Sequence, residues 1–86
     1  MTIDAALVKE QGVTFAVVAV KLSALTPSQT RASLRADCQR LWPGVPIVLM
    51  AQDSRGVPTY HGRHDIVRYL SRIPLAALPW KTWALH

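Results

Sequence analysis

Apolar residues fall in short blocks separated by turn-forming residues, and the period of each block predicts its element. Val13 to Val20 is almost continuous apolar sequence rich in β-branched residues. That predicts a strand covered on both faces, or on one face by the chain and on the other by a partner subunit. Thr26, Pro27, Ser28 and Gln29 then supply an N-cap, a proline at the first helical position and a capping-box glutamine, so a helix is predicted from Pro27. On it Leu34, Cys38 and Leu41 make one apolar stripe, and Arg31, Arg35 and Gln39 make a polar one. Pro43 and Gly44 stop it.

Val45 to Ala51 predicts a second strand, entered through Pro46, where a missing N–H is tolerated. Asp53, Ser54, Arg55 and Gly56 are turn residues, and Val57 to His61 should return antiparallel as a hairpin. After Gly62, the segment Arg63 to Ile73 reads as a helix with Ile66, Leu70 and Ile73 on its buried face and Val67 beside them. Asp65 falls in its first turn, where the helix dipole favours an anion. His64, Arg68 and Arg72 recur at intervals of four as a basic ridge on the outer face, and Pro74 ends the helix. Residues 77–86, with Trp80 and Trp83, predict an edge strand or an extended tail, because Pro79 keeps a strand there at the edge. Residues 1–12 fit a short helix or a strand leading into a turn at Gln11 and Gly12, and the pattern leaves both open.

The order β-α-β-β-α, with a possible final strand, predicts an α+β two-layer fold: a mixed sheet with two main helices. Two plans share that order. One is the ferredoxin-like split βαβ. The other is the second half of a thioredoxin-like domain, which the chain resembles where Val45, Pro46 and Ile47 enter a strand, followed by a glycine turn, a return strand, Gly62 and a helix. This likeness covers about half the chain, and it lacks the Cys-x-x-Cys pair that would imply redox chemistry. The stretches Val45 to Met50, Thr59 to Val67 and Pro79 to Trp83 also resemble small uncharacterised bacterial proteins, a likeness that implies no activity.

Length sets the ceiling: 86 residues form one small domain, 1–86, with a single core. Half the residues are hydrophobic and 17% are charged, a composition that folds. The longest wholly apolar run, Phe15 to Val20, is far shorter than the ~20 residues a bilayer span needs. Met1 to Gly12 lacks the basic start of a signal peptide, so the reading is a soluble, cytoplasmic protein without a membrane partner. A two-layer domain with a doubly apolar strand has more apolar surface than two helices cover, which predicts a homodimer. Trp80 and Trp83 point to opposite faces of a strand, one inward and one outward, and are the expected interface residues.

Ten Lys and Arg against five Asp and Glu give a net charge of +5. Seven of the ten cations are arginine, the side chain suited to bidentate contact with phosphate or carboxylate. Arg55, Arg63, His64, Arg68 and Arg72 are the candidate binding residues, with Asp65 the one acid among them and nucleic acid or an acidic protein the expected partner. The arrangement of Arg55, Gly56 and Tyr60 is similar to the aromatic-bearing strand of the RNA-recognition motif, from which Pro58 and Thr59 depart.

Tyr60, His61, Arg63 and His64 offer a general base, a general acid and a cation, the parts of a small metal-independent ribonuclease or toxin-like enzyme. The competing use of these residues is packing, helix capping and solvation. Metal is a weaker reading: His61 and His64 could be joined by Asp53 or His86, but their spacing is not that of a zinc site. Cys38 falls on the buried stripe and should be an inert core thiol. No two of the four glycines form a phosphate-binding loop, and the acids are scattered, so no cofactor is implied. The reading is a non-enzymatic binding module; the ribonuclease and a purely structural protein-interaction domain are the alternatives.

Overall fold

The computed structural model describes residues 2–10, 12–25 and 28–84. Of the N-terminal segment, whose pattern left helix and strand open, Thr2–Glu10 forms a strand, β1, paired antiparallel with β2 (Val13–Ala19) so that Glu10 faces Val13 and Asp4 faces Ala19. A four-residue helix, α1 (Leu22–Leu25), leads into α2 (Ser28–Leu41). The capping box expected at Thr26 and Pro27 lies outside the described residues. At its other end, the Gln39 side-chain amide donates to the carbonyls of Trp42 (2.7 Å) and Val45 (2.8 Å), tying the loop that follows the helix back to its last turn.

The chain returns as β3 (Ile47–Gln52), parallel to β2, and doubles back as β4 (Pro58–His61). The turn between them is built by Asp53, whose Oδ1 accepts from the backbone N–H groups of Arg55 (2.8 Å) and Val57 (3.0 Å). Gly56 there takes φ +81°, which a side chain would resist. The second helix, α3 (His64–Leu70), is shorter than the expected Arg63 to Ile73. From Ser71 the chain tightens, with Arg72 and Ile73 bonding back three residues as Pro74 approaches. A 3-10 turn at Leu75–Ala77 precedes β5 (Trp80–Ala84), which pairs with β1 at the edge of the sheet.

The result is the mixed five-stranded sheet with two main helices expected of an α+β fold, in the order β4-β3-β2-β1-β5. Its βαβ unit is unsplit, since β2 and β3 are direct neighbours, whereas the ferredoxin-like plan sets another strand between its parallel pair.

Strand alternation sends side chains to two separate cores. On one face Ala5, Ala16, Val18, Ile47, Leu49 and Ala51 pack against Leu25, Cys38 and Trp42. On the other, Ala6, Phe15, Val17, Val48 and Met50 pack against Ile66, Leu70 and Leu78. Helices α2 and α3 therefore cover opposite faces, and the doubly apolar strand is buried within one copy of the chain. The cover sought from a partner subunit is supplied by the chain itself. No helix of the described residues is long and apolar enough to cross a membrane.

Candidate basic surface around the edge strand

Strand β4 is an edge strand, and its alternation decides where the candidate residues go. Tyr60 packs into the core under α3. Its neighbour His61, opposite Leu49 in the register, turns to the α2 side. The four residues of the expected ribonuclease set are thus divided between two faces. Tyr60 has its hydroxyl buried without a hydrogen-bond partner among the described residues, and burial pushes the phenol up.

On the α2 side His61 meets residues that its place in the sequence does not suggest. Arg31 and Arg35, one helical turn apart on α2 and both half-buried, are near enough to His61 for their charges to act on its imidazole. Burial holds the His61 imidazole below its usual value, and the Arg31 and Arg35 charges add to the effect. Both factors disfavour the imidazolium, so His61 at neutral pH is a neutral donor and acceptor beside two cations. Neither arginine has a carboxylate within ion-pair distance among the described residues; the pairs found there are Arg40 with Asp37 (3.8 Å) and Arg63 with Asp65 (2.7 Å).

The arginines singled out from the sequence are distributed around the same edge. Arg55 is exposed in the turn that opens β4, while Arg63 and His64 are exposed where β4 passes into α3. Arg63 is engaged: its Nε and Nη2 donate to the two Asp65 carboxylate oxygens at 3.1 and 2.7 Å, which holds that carboxyl below the usual carboxylate range. Arg68 is exposed on α3, and Arg72 lies in the turn beyond it, so the ridge of three spans more than the helix.

Trp80 and Trp83 face opposite sides, but neither points outward: the sheet has a core on each face, and each tryptophan is half-buried against one of them. Trp80 Nε1 donates to the Leu75 carbonyl (2.9 Å), and Trp83 Nε1 donates to that of Ala5 (3.1 Å). The Trp83 ring meets Trp42 edge-on, with centroids 5.1 Å apart. Cys38 is buried, and desolvation, reinforced by the Asp37 charge, pushes its thiol up and away from nucleophilic use.

His86 lies outside the described residues. Among those described, no group of three or more His, Cys, Asp and Glu side chains could hold a metal ion. Asp53 spends one carboxylate oxygen on its own turn. Compared with known protein families, characterised proteins and solved structures, the chain matches none.

The sequence pattern contained the Arg31–Arg35 stripe but not its partner. What joins it to His61 is the crossover: a helix linking neighbouring parallel strands lies over them, and a hairpin places β4 beside the second of those strands. That topological signal was present in the element order.

Proposed function

We propose that this chain is a non-enzymatic binding module for nucleic acid, gripping the phosphate backbone along the β4 edge. The observation that carries the reading is Arg31 and Arg35 near His61, two half-buried arginines with no carboxylate partner among the described residues. A partly buried cation without a counterion is a place for an anion. Guanidinium favours phosphate because its fixed fork matches two oxygens at once. Arg55 at one end of β4 and His64 and Arg68 beyond the other extend the positive surface past a single phosphate.

A metal-independent ribonuclease is the second reading, favoured by one observation: the neutral His61 beside two cations is suited to act as a base on a bound phosphodiester. It lacks a partner acid on that face, since Tyr60 faces the other way, so binding stands first.

The test is anisotropy of labelled RNA and duplex DNA across a salt series, with the same samples run on a gel. Each phosphate contact contributes a slope of about 0.7 for single strands and about 0.9 for duplex in log affinity against log salt. Arg31→Glu with Arg35→Glu should weaken binding and flatten that slope by about one to two contacts. Absence of binding at low salt overturns the reading and points to an acidic protein, and cleavage products that vanish in His61→Ala promote the ribonuclease.

A further inference from the structure

On the α3 face, away from the arginines of α2, two carboxylates stand together at a cleft. A cleft of about 220 Å³ opens between the β1–β2 hairpin and the start of α3, lined by Glu10, Val13, Phe15, Asp65, Ile66 and Tyr69. Val13, Phe15 and Ile66 make its walls apolar. The Tyr69 ring stands edge-on to Phe15, with centroids 6.2 Å apart and planes at 81°.

The two carboxylates are not equivalent. Asp65 is already matched by the two-pronged Arg63 contact. Glu10 has no cation within ion-pair distance among the described residues. Among the described residues its side chain takes one hydrogen bond, from the Tyr69 hydroxyl, which donates to Oε2 at 3.0 Å. That bond fixes the carboxylate at the mouth of the cleft and leaves Oε1 and further lone pairs for another donor. The same bond pushes the Tyr69 phenol up, so it remains a donor throughout the neutral range.

We infer that this cleft is a binding site for a guanidinium group, carried by a small organic cation or by an arginine side chain. Three features fit that chemistry together: a half-buried, oriented carboxylate without a counterion among the described residues, apolar and aromatic walls, and a volume that takes one side chain. Guanidinium is weakly hydrated, lies flat on aromatic and aliphatic surfaces and presents paired donors to a carboxylate, and a compact ammonium gives up more hydration to enter such a space. The site does not depend on the nucleic-acid reading, and it lies on the side of the sheet opposite Arg31 and Arg35.

The experiment is a titration of the ¹⁵N-labelled full chain with agmatine, followed by amide shifts, with n-butanol as the neutral control of similar body and putrescine, which has an ammonium at each end and should bind more weakly, as the control for agmatine's amine. Saturable shifts centred on Glu10, Val13, Ile66 and Tyr69, absent with n-butanol, support the site. Glu10→Gln should keep the spectrum of a folded protein and weaken agmatine about tenfold, the effect of losing one charge-assisted bond. Tyr69→Phe, which frees Glu10 to turn, should weaken it less, and Asp65→Asn should change it least. No saturation, equal response to n-butanol, or an affinity unchanged by Glu10→Gln overturns the inference. Sedimentation separates the sources: a self-associated mass lost in Glu10→Gln identifies an arginine of a second copy, and a mass unchanged by it identifies a free cation.

Discussion

Gly62 joins the edge strand to α3, and the closeness of that junction to β3 makes a measurable demand. A methyl group added there would sit 2.9 Å from Val48 Cγ2, 3.1 Å from the Ile47 carbonyl oxygen and 3.2 Å from Val48 Cα. The first neighbour is a side-chain atom that could turn aside. The other two are backbone of a strand held by hydrogen bonds on both sides, and Val48 is 0% exposed. Relief therefore means moving the junction itself. Overpacking of this kind costs about 1–3 kcal/mol. Replacing glycine by alanine also restricts the unfolded chain and returns about 0.4–1 kcal/mol. Gly62→Ala should thus destabilise by about 1–2 kcal/mol, lowering Tm by about 4–16 °C for a chain of this size.

Urea and thermal unfolding followed by tryptophan fluorescence measure it, with an unchanged urea slope showing that the surface exposed on unfolding is the same in both proteins. A double-mutant cycle with Val48→Ala should recover only part of the loss, because two of the three close contacts are to backbone. A Gly62→Ala protein as stable as the parent would refute the close packing of the junction. Complete rescue by Val48→Ala would place the whole clash on one movable methyl. Because Gly62 separates His61 from Arg63, the variant should also weaken RNA binding at a temperature where it remains folded.

Tyr60→Phe removes a buried hydroxyl that lacks a partner, so the variant should match the parent or gain about 1 kcal/mol in urea unfolding; a loss of that size would reveal a partner for the oxygen. Trp83→Ala deletes the edge-on contact with Trp42 and the bond to Ala5, and should cost about 3 kcal/mol by the same assay. With the His61 pKa lowered in the folded state, the unfolded chain takes up the proton first as pH falls through about 6.5, so stability drops below that point. His61→Ala should flatten that part of the pH profile. A phosphate bound between Arg31 and Arg35 reverses the penalty on the imidazolium, and RNA affinity should therefore rise between about pH 7.5 and 5.5 and lose that rise in His61→Ala.

The apolar blocks Val13 to Val20 and Val45 to Ala51 were legible as strands because their burial on both faces leaves no polar phase to misread. The glycine-bounded return to His61 was equally plain. Residues 2–10 were not, since Ala5, Ala6, Leu7 and Val8 run without a period and alanine favours no strand. What makes them β1 is the pairing with β2 and β5 on either side, a long-range contact. Covering of both faces was likewise hidden, because the pattern shows that a strand is doubly apolar but not which helix crosses to which side. The site divided along the same line. Arg63, Arg68 and His64 were exposed as their positions implied, whereas the tie between Arg63 and Asp65 depends on the extended backbone at Arg63 (φ −58°, ψ 133°), which lets residues two apart meet. Glu10 carried no signal at all until the hairpin brought it to Tyr69, 59 residues away.

Strand β5 pairs with β1, so that Thr2 stands opposite Ala84. The pairing binds the first described element to the last, and loops joined over such a span form slowly compared with hairpins such as β1–β2. During synthesis β1 must wait with one edge open and the groove beside Trp42 uncovered until residues 80–84 emerge. Only then does Trp83 reach the Ala5 carbonyl. The sheet is completed by the last of its strands to be made, and a nascent chain stalled a few residues earlier would present the longer, nine-residue edge of β1 to its neighbours on the same message.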